Sequence, residues 1–158
     1  DETRNMIDKP AFEKMYKTIM SFIREKPGYE YNLIVGTDSQ PGINEAIFVT
    51  AIVIYRIGNG GRYFYHKNKT ELKVGMKQRI FYEVSHSLKT ASKLTARISE
   101  EEKLDNDLNV QIHVDVGNKG PTNTIIKEVV GMVVGSGYEA MIKPDSYAAS
   151  SVADKHTK

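Results

Sequence analysis

The stretch AIFVTAIVIYRI, residues 46–57, is a long, nearly continuous run of β-branched and apolar residues, and the GNGG beginning at residue 58 has the composition of a tight turn. Together they predict a strand and a hairpin, with RYFYHKN (62–68) returning as the next strand. A shorter run, YNLIVGTD (31–38), reads as a strand covered on both faces. The intervening SQPGINEA has turn chemistry, so this first strand is expected to end near Asp38 and to pair antiparallel with the run that follows.

Elsewhere the apolar period changes. In KPAFEKMYKTIMSFIRE (9–25), Phe12, Met15, Tyr16, Ile19, Met20 and Ile23 recur at helical spacing, Pro10 suits a helix opening, and Pro27 and Gly28 stop the element. From about Leu72 to Glu101, the residues Ile80, Val84, Leu88, Ala91, Thr95 and Ile98 form a second helical stripe. VQIHVDVG (110–117) alternates as a strand that also closes on an aspartate, Asp115. GNKGPTNTIIKEVVGMVVGSG, with Pro121 near its start, predicts a helix, and YEAMI (138–142) a fifth strand. The final PDSYAASSVADKHTK predicts a helix of small residues with Asp145 or Ser146 as its N-cap.

After the first helix the order is therefore β-β-β-α-β-α-β-α. Two hairpins followed by right-handed crossovers give an α/β fold, a mixed five-stranded sheet of order 3-2-1-4-5 with strand 2 antiparallel, flanked by helices. A chain of 158 residues suits one domain, with residues 1–28 as an N-terminal helical extension and 29–158 as the core. Composition is that of an ordinary soluble protein, 40% apolar and 27% charged, and no run approaches the roughly 18 apolar residues of a membrane span. The opening DETRNMIDKP has no basic segment leading into an apolar one, so the expectation is a cytoplasmic protein. The absence of cysteine excludes disulfides, thiolate zinc sites and a cysteine nucleophile. With a net charge of +2 and pI ≈ 8.7, a nucleic-acid footprint has to be a local patch. Basic residues gather at HKNK (66–69) and in DKHTK (154–158), and either cluster taken alone reads first as an ordinary solvated surface.

In this topology Asp38 and Asp115 stand at the carboxyl ends of adjacent parallel strands, where open α/β sheets place their ligands. Two carboxylates roughly 4.8 Å apart repel each other and are stabilised together by a divalent cation. Oxygen donors without cysteine or paired histidines favour Mg²⁺ or Mn²⁺ over zinc, and a two-ion site is the usual device for phosphodiester displacement. Further carboxylates are available on the helices. Glu83 flanks the apolar stripe of the long helix, and Asp154 shares a side of the last helix with Ser150 and Ser151. Asp145 is the rival for the last position, although following Pro144 it is better explained as a helix cap.

Each residue also has a plainer explanation. Asp38 suits the start of a DSQPG turn, Asp115 the cap of the loop after it, and Glu83 an exposed helix position. His113 shares a strand face with Asp115 and reads as a hydrogen-bonded core histidine, while His86 falls on the polar side of its helix and reads as solvated. Lys155 and His156 suit either phosphate contact or a frayed basic end, and the glycines of GNKG either phosphate approach or loop geometry.

The ordered set of Asp38 in GTDSQ, Glu83 in the long helix, Asp115 in HVDVG and Asp154 in VADKHTK resembles the ribonuclease H-like superfamily. Within it, the chain is most similar to the bacterial YkuK-type family, over roughly residues 30–158. The resemblance implies a metal-dependent nuclease acting on RNA, DNA or a hybrid, in which Asp38, Glu83, Asp115 and Asp154 hold Mg²⁺ or Mn²⁺. One ion would serve the attacking water and the other the leaving 3′-oxygen. It admits a homodimer, which resolvases of this fold need. The extended basic protrusion with which some ribonucleases H grip a hybrid has no counterpart here. The alternative function is a catalytically inactive module of the same fold that binds nucleic acid or protein.

Overall fold

The computed structural model describes residues 7–71, 75–101, 108–115 and 123–142. Helix α1 (Lys9–Glu25) precedes strands β1 (Tyr31–Gly42), β2 (Glu45–Arg56) and β3 (Gly61–Thr70). Helix α2 (Met76–Glu100), β4 (Leu108–Val114), α3 (Asn123–Gly135) and β5 (Glu139–Ile142) follow. The strands form one sheet of order β3-β2-β1-β4-β5, with β2 antiparallel to β1 and β3, and β4 parallel to β1 and β5. This is the mixed α/β sheet that the order of elements predicts. The helix expected at the C-terminal end, with Asp145, Ser146 and Asp154, lies outside the described residues. No helix among the described residues is long and apolar enough to cross a membrane.

Strand alternation assigns the two sheet faces. Tyr31, Leu33 and Val35 of β1, Ile52 and Ile54 of β2, and Ile112 and Val114 of β4 join the apolar sides of α1, α2 and α3 in the main core. The intervening residues Ile34, Val49, Ala51 and Val53, with Ile47 beside them, form a smaller cluster on the opposite face that includes no residue of α1, α2 or α3.

Helix α1 is an integral part of the main core, contributing Phe12, Met15, Tyr16, Ile19, Met20, Phe22 and Ile23. Asp8 caps it by accepting from the Ala11 amide at 2.9 Å. Its C-terminal end is fastened by buried Arg56, whose guanidinium donates to the Phe22 carbonyl at 2.6 Å and the Tyr31 hydroxyl at 3.1 Å while stacking on the Phe22 ring. At the other edge Arg97 of α2 donates to Glu13 at 2.9 Å.

The buried side of α2 is Val84, Ser87, Ala91, Leu94 and Ile98, a stripe rotated slightly from the expected one. Ile80 and Leu88 are only partly buried. Ser87 enters the interior because its hydroxyl has a partner there, Thr37 of β1 at 2.7 Å, which in turn lies 3.0 Å from the Thr50 hydroxyl of β2.

Strand β1 does not end near Asp38. It continues through Ser39–Gly42, paired with Glu45–Phe48, so the turn is reduced to Ile43 and Asn44, the latter at φ 57°. Turn-forming Pro41 and Gly42 are thus drawn into the ladder with β2. Pro41 is tolerated because the β4 pairing stops at Gly36↔His113, leaving that length of β1 with a single strand neighbour among the described residues.

Candidate active site

Asp38 lies two residues beyond Gly36 on β1, and Asp115 two residues beyond His113 on β4, so the last parallel pair, Gly36↔His113, brings both aspartates to the same level of adjacent strands. Alternation points them to the sheet face of Ile34 and Val49, and Val49 is the cross-strand partner of Asp38. Both are half-buried. At Asp38 itself β1 has no β4 partner among the described residues, because that pairing stops at Gly36↔His113.

Glu83 comes from α2, on the other face. The hydroxyl of Ser39, the residue after Asp38, donates a hydrogen bond to its Oε2, and Nη1 of Arg79 lies 3.5 Å from the same hydroxyl. Burial pushes the Glu83 carboxyl up to about 8, and the charges of Asp38 and Asp115 push in the same direction, against the lowering effects of Ser39 and Arg79. Residues on three elements, β1, β4 and α2, therefore act electrostatically on one another, and Glu83 keeps its proton at neutral pH. Glu83 is accordingly no ordinary exposed helix residue. Among the described residues there is nonetheless no group of three or more His, Cys, Asp or Glu gathered in metal-ligating geometry. Asp154, the fourth expected member, lies outside the described residues.

Two histidines, His113 and His86, are drawn out of solvent and stay neutral at pH 7. His113, 5% exposed, has an Nδ1 with no hydrogen-bond partner among the described residues, and burial lowers its pKa to about 4. It is the cross-strand partner of Gly36 on β1. His86, expected to be solvated, instead packs on the Phe48 ring at 5.0 Å with Asn68 Nδ2 at 3.4 Å, and burial lowers it to about 4. Phe48 and His86 meet because β2 runs beneath α2, a relation absent from a helical wheel.

Sequence reasoning missed Ser39 and Arg79. The available signals are local: Ser39 is contained in GTDSQ itself, and Arg79 precedes Glu83 by one helical turn. The basic cluster HKNK is divided by alternation, with His66 and Asn68 toward the helices and Lys67 and Lys69 exposed on the opposite face.

With oxygen donors only, the carboxylate set has the donor chemistry of a hard divalent cation, and the mutual repulsion recorded at Glu83 is of the kind such an ion relieves. The sequence matches the model of a family described as ribonuclease H-like over residues 14–158, a span that begins inside α1. It is 31% identical over 161 residues to the uncharacterized protein YkuK of Bacillus subtilis (strain 168), covering 94% of this chain and 91% of that protein. Among solved structures, that of NurA aligns with 95% of this chain at 8% identity and a TM-score of 0.32, the chain spanning 46% of NurA. A structure of NurA with manganese aligns with 67% of this chain, over 29% of its own length, at a TM-score of 0.29. Fold order and family match agree: the chain belongs to the ribonuclease H-like family.

Proposed function

We infer that the protein is a divalent-metal-dependent nuclease that hydrolyses phosphodiester bonds of nucleic acid, with Asp38, Glu83, Asp115 and Asp154 as its catalytic and metal-holding carboxylates. The observation that carries this reading is the level placement of Asp38 and Asp115 on adjacent parallel strands, with Glu83 near enough that their charges add to the burial that chiefly holds its proton. Carboxylates merely decorating a surface are screened from one another and have no such effect.

Asp38 and Asp115, level on adjacent strands, would hold the ion, with Glu83 and Asp154 as further oxygen donors. Mg²⁺ or Mn²⁺ supplies Lewis-acid stabilisation of charge developing on the phosphodiester oxygens. The chain's own contribution is to hold the donors. Ser39 fixes one oxygen of Glu83, Arg79 supports Ser39, and the proton of Glu83 must leave before that carboxylate can serve as an anionic ligand.

The test is calorimetric titration of Mn²⁺ and Mg²⁺ into the protein and into an Asp38→Asn/Asp115→Asn double variant, with cleavage of labelled RNA, DNA and hybrid measured on the same samples. Saturable binding and metal-dependent cleavage, both lost in the variant, are expected. Nucleic-acid binding that persists without metal uptake or cleavage would replace this function with the non-catalytic module.

A further inference from the structure

The sheet face that carries Asp38 and Asp115 continues outward to the edge strand β3. Cross-strand pairing places Asp38, Val49 and Lys67 in one row, Gly36, Ala51 and Tyr65 in the next, and Ile34, Val53 and Tyr63 in the one after. Gln40, Ile47 and Lys69 make a fourth row, and Asn32, Tyr55 and Gly61 a fifth. A Cβ on Gly61 would come within 2.9 Å of the Tyr55 ring, so the glycine provides the surface over which that ring lies. The outer margin of this face is thus a line of Tyr55, Tyr63 and Tyr65 leading to Lys67 and Lys69.

These side chains are presented to solvent: Tyr55 is 38% exposed, Tyr63 55% and Tyr65 47%, and both lysines are exposed. Edge strands commonly carry lysines to discourage pairing with other chains, which accounts for Lys67 and Lys69 but not for aromatic rings beside them. Lys69 lies 3.6 Å from Glu45, an exposed pair that water screens, whereas Lys67 is level with Asp38 two strands away, roughly 10 Å across the sheet.

We propose that this margin of β3 and β2 is the landing surface for single-stranded nucleic acid, with Tyr55, Tyr63 and Tyr65 stacking unpaired bases and Lys67 and Lys69 taking phosphates. The assignment rests on the nuclease reading for its purpose, since the register sets Lys67 level with Asp38 across buried Val49, but not for its binding chemistry. Aromatic rings with adjoining cations are the combination that holds single strands without reading sequence. Bases paired in a duplex do not offer their faces to such rings, so the occupant is single-stranded.

The experiment is fluorescence polarisation of labelled oligouridylate and oligothymidylate, each of about 15 nucleotides, with the full chain in EDTA at several salt concentrations. A duplex of the same length is the comparator. The parent, a Tyr63→Ala/Tyr65→Ala variant, a Tyr63→Phe/Tyr65→Phe variant and a Lys67→Ala/Lys69→Ala variant are compared after their thermal melts are matched. Single strands should bind in preference to duplex, the Ala tyrosine variant should lose about fivefold or more in affinity, and the Phe variant should keep it. The lysine variant should lose affinity and flatten the salt dependence by about 0.7 in log–log slope per phosphate contact. Equal affinity of parent and Ala tyrosine variant, or no binding of either oligonucleotide by the parent, overturns the proposal. Because EDTA suppresses cleavage, these results are independent of catalysis. Loss of affinity on this strip in a protein that never cleaves sinks the nuclease reading alone, and unchanged affinity in a protein that does cleave sinks the landing surface alone.

Discussion

Replacing Glu83 by glutamine should stabilise the protein at neutral pH, and the structure gives the size of the effect. In the folded chain burial, Asp38 and Asp115 hold the carboxyl up to about 8, against an ordinary 4.5. Below pH 4.5 the carboxyl is protonated whether the chain is folded or not, and it contributes no pH dependence. As pH rises from 4.5, the unfolded chain ionises while the folded chain keeps its proton, so stability is lost progressively until about pH 8 and is flat above it. At about pH 7 the interval is 7 − 4.5 = 2.5 pH units, and at about 1.4 kcal/mol per unit the parent is disfavoured by about 3 kcal/mol. Glutamine keeps the shape and an oxygen for the Ser39 hydroxyl, and has no charge to suppress. The variant should therefore melt roughly 6–12 °C above the parent at about pH 7, and close to it at about pH 4.5. The assay is thermal unfolding by circular dichroism of both proteins across that pH window. Saturating Mn²⁺ should narrow the gap, since a cation that binds the ionised carboxylate stabilises the parent only. A variant less stable than the parent at about pH 7, or a difference constant from pH 4.5 to 8, would refute the electrostatic account of Glu83.

Other substitutions address the framework of the site. Thr37→Val breaks the buried chain of hydroxyls from Thr50 to Ser87 and should cost about 1–3 kcal/mol in urea unfolding, because two buried hydroxyls lose a partner. Arg56→Met removes the charged donor to the Phe22 carbonyl and should cost about 2 kcal/mol or more, seen as earlier denaturation of the whole domain instead of fraying of α1 alone. Burial lowers His113 from 6.5 to about 4, so its contribution is complete above pH 6.5 and is lost as pH falls through that interval, where the unfolded chain takes up the proton first. A His113→Met variant should show correspondingly less loss of stability between pH 6.5 and 4 in denaturant titrations, and an unchanged acid profile would count against a buried neutral imidazole.

Local periodicity was enough to read most of the architecture. Helix α1 spans Lys9–Glu25 as its apolar spacing and Pro10 indicate, and the order of runs at 31–38, 46–57, 62–68, 110–117 and 138–142 specifies the mixed sheet once crossovers are right-handed. The level placement of Asp38 and Asp115 follows from the same topology. Tertiary structure alone decided where β1 ends, because Ser39–Gly42 take their conformation from pairing with Glu45–Phe48, and turn propensity yields to a ladder that a neighbouring strand completes. It also decided the environment of His86, polar by its helix position yet packed on Phe48 from β2. The proton on Glu83 belongs to the same class of fact. No feature of α2 by itself raises that carboxyl; its burial against the sheet and the charges arriving on β1 and β4 do, and those meet only after chain segments far apart in sequence have been folded together.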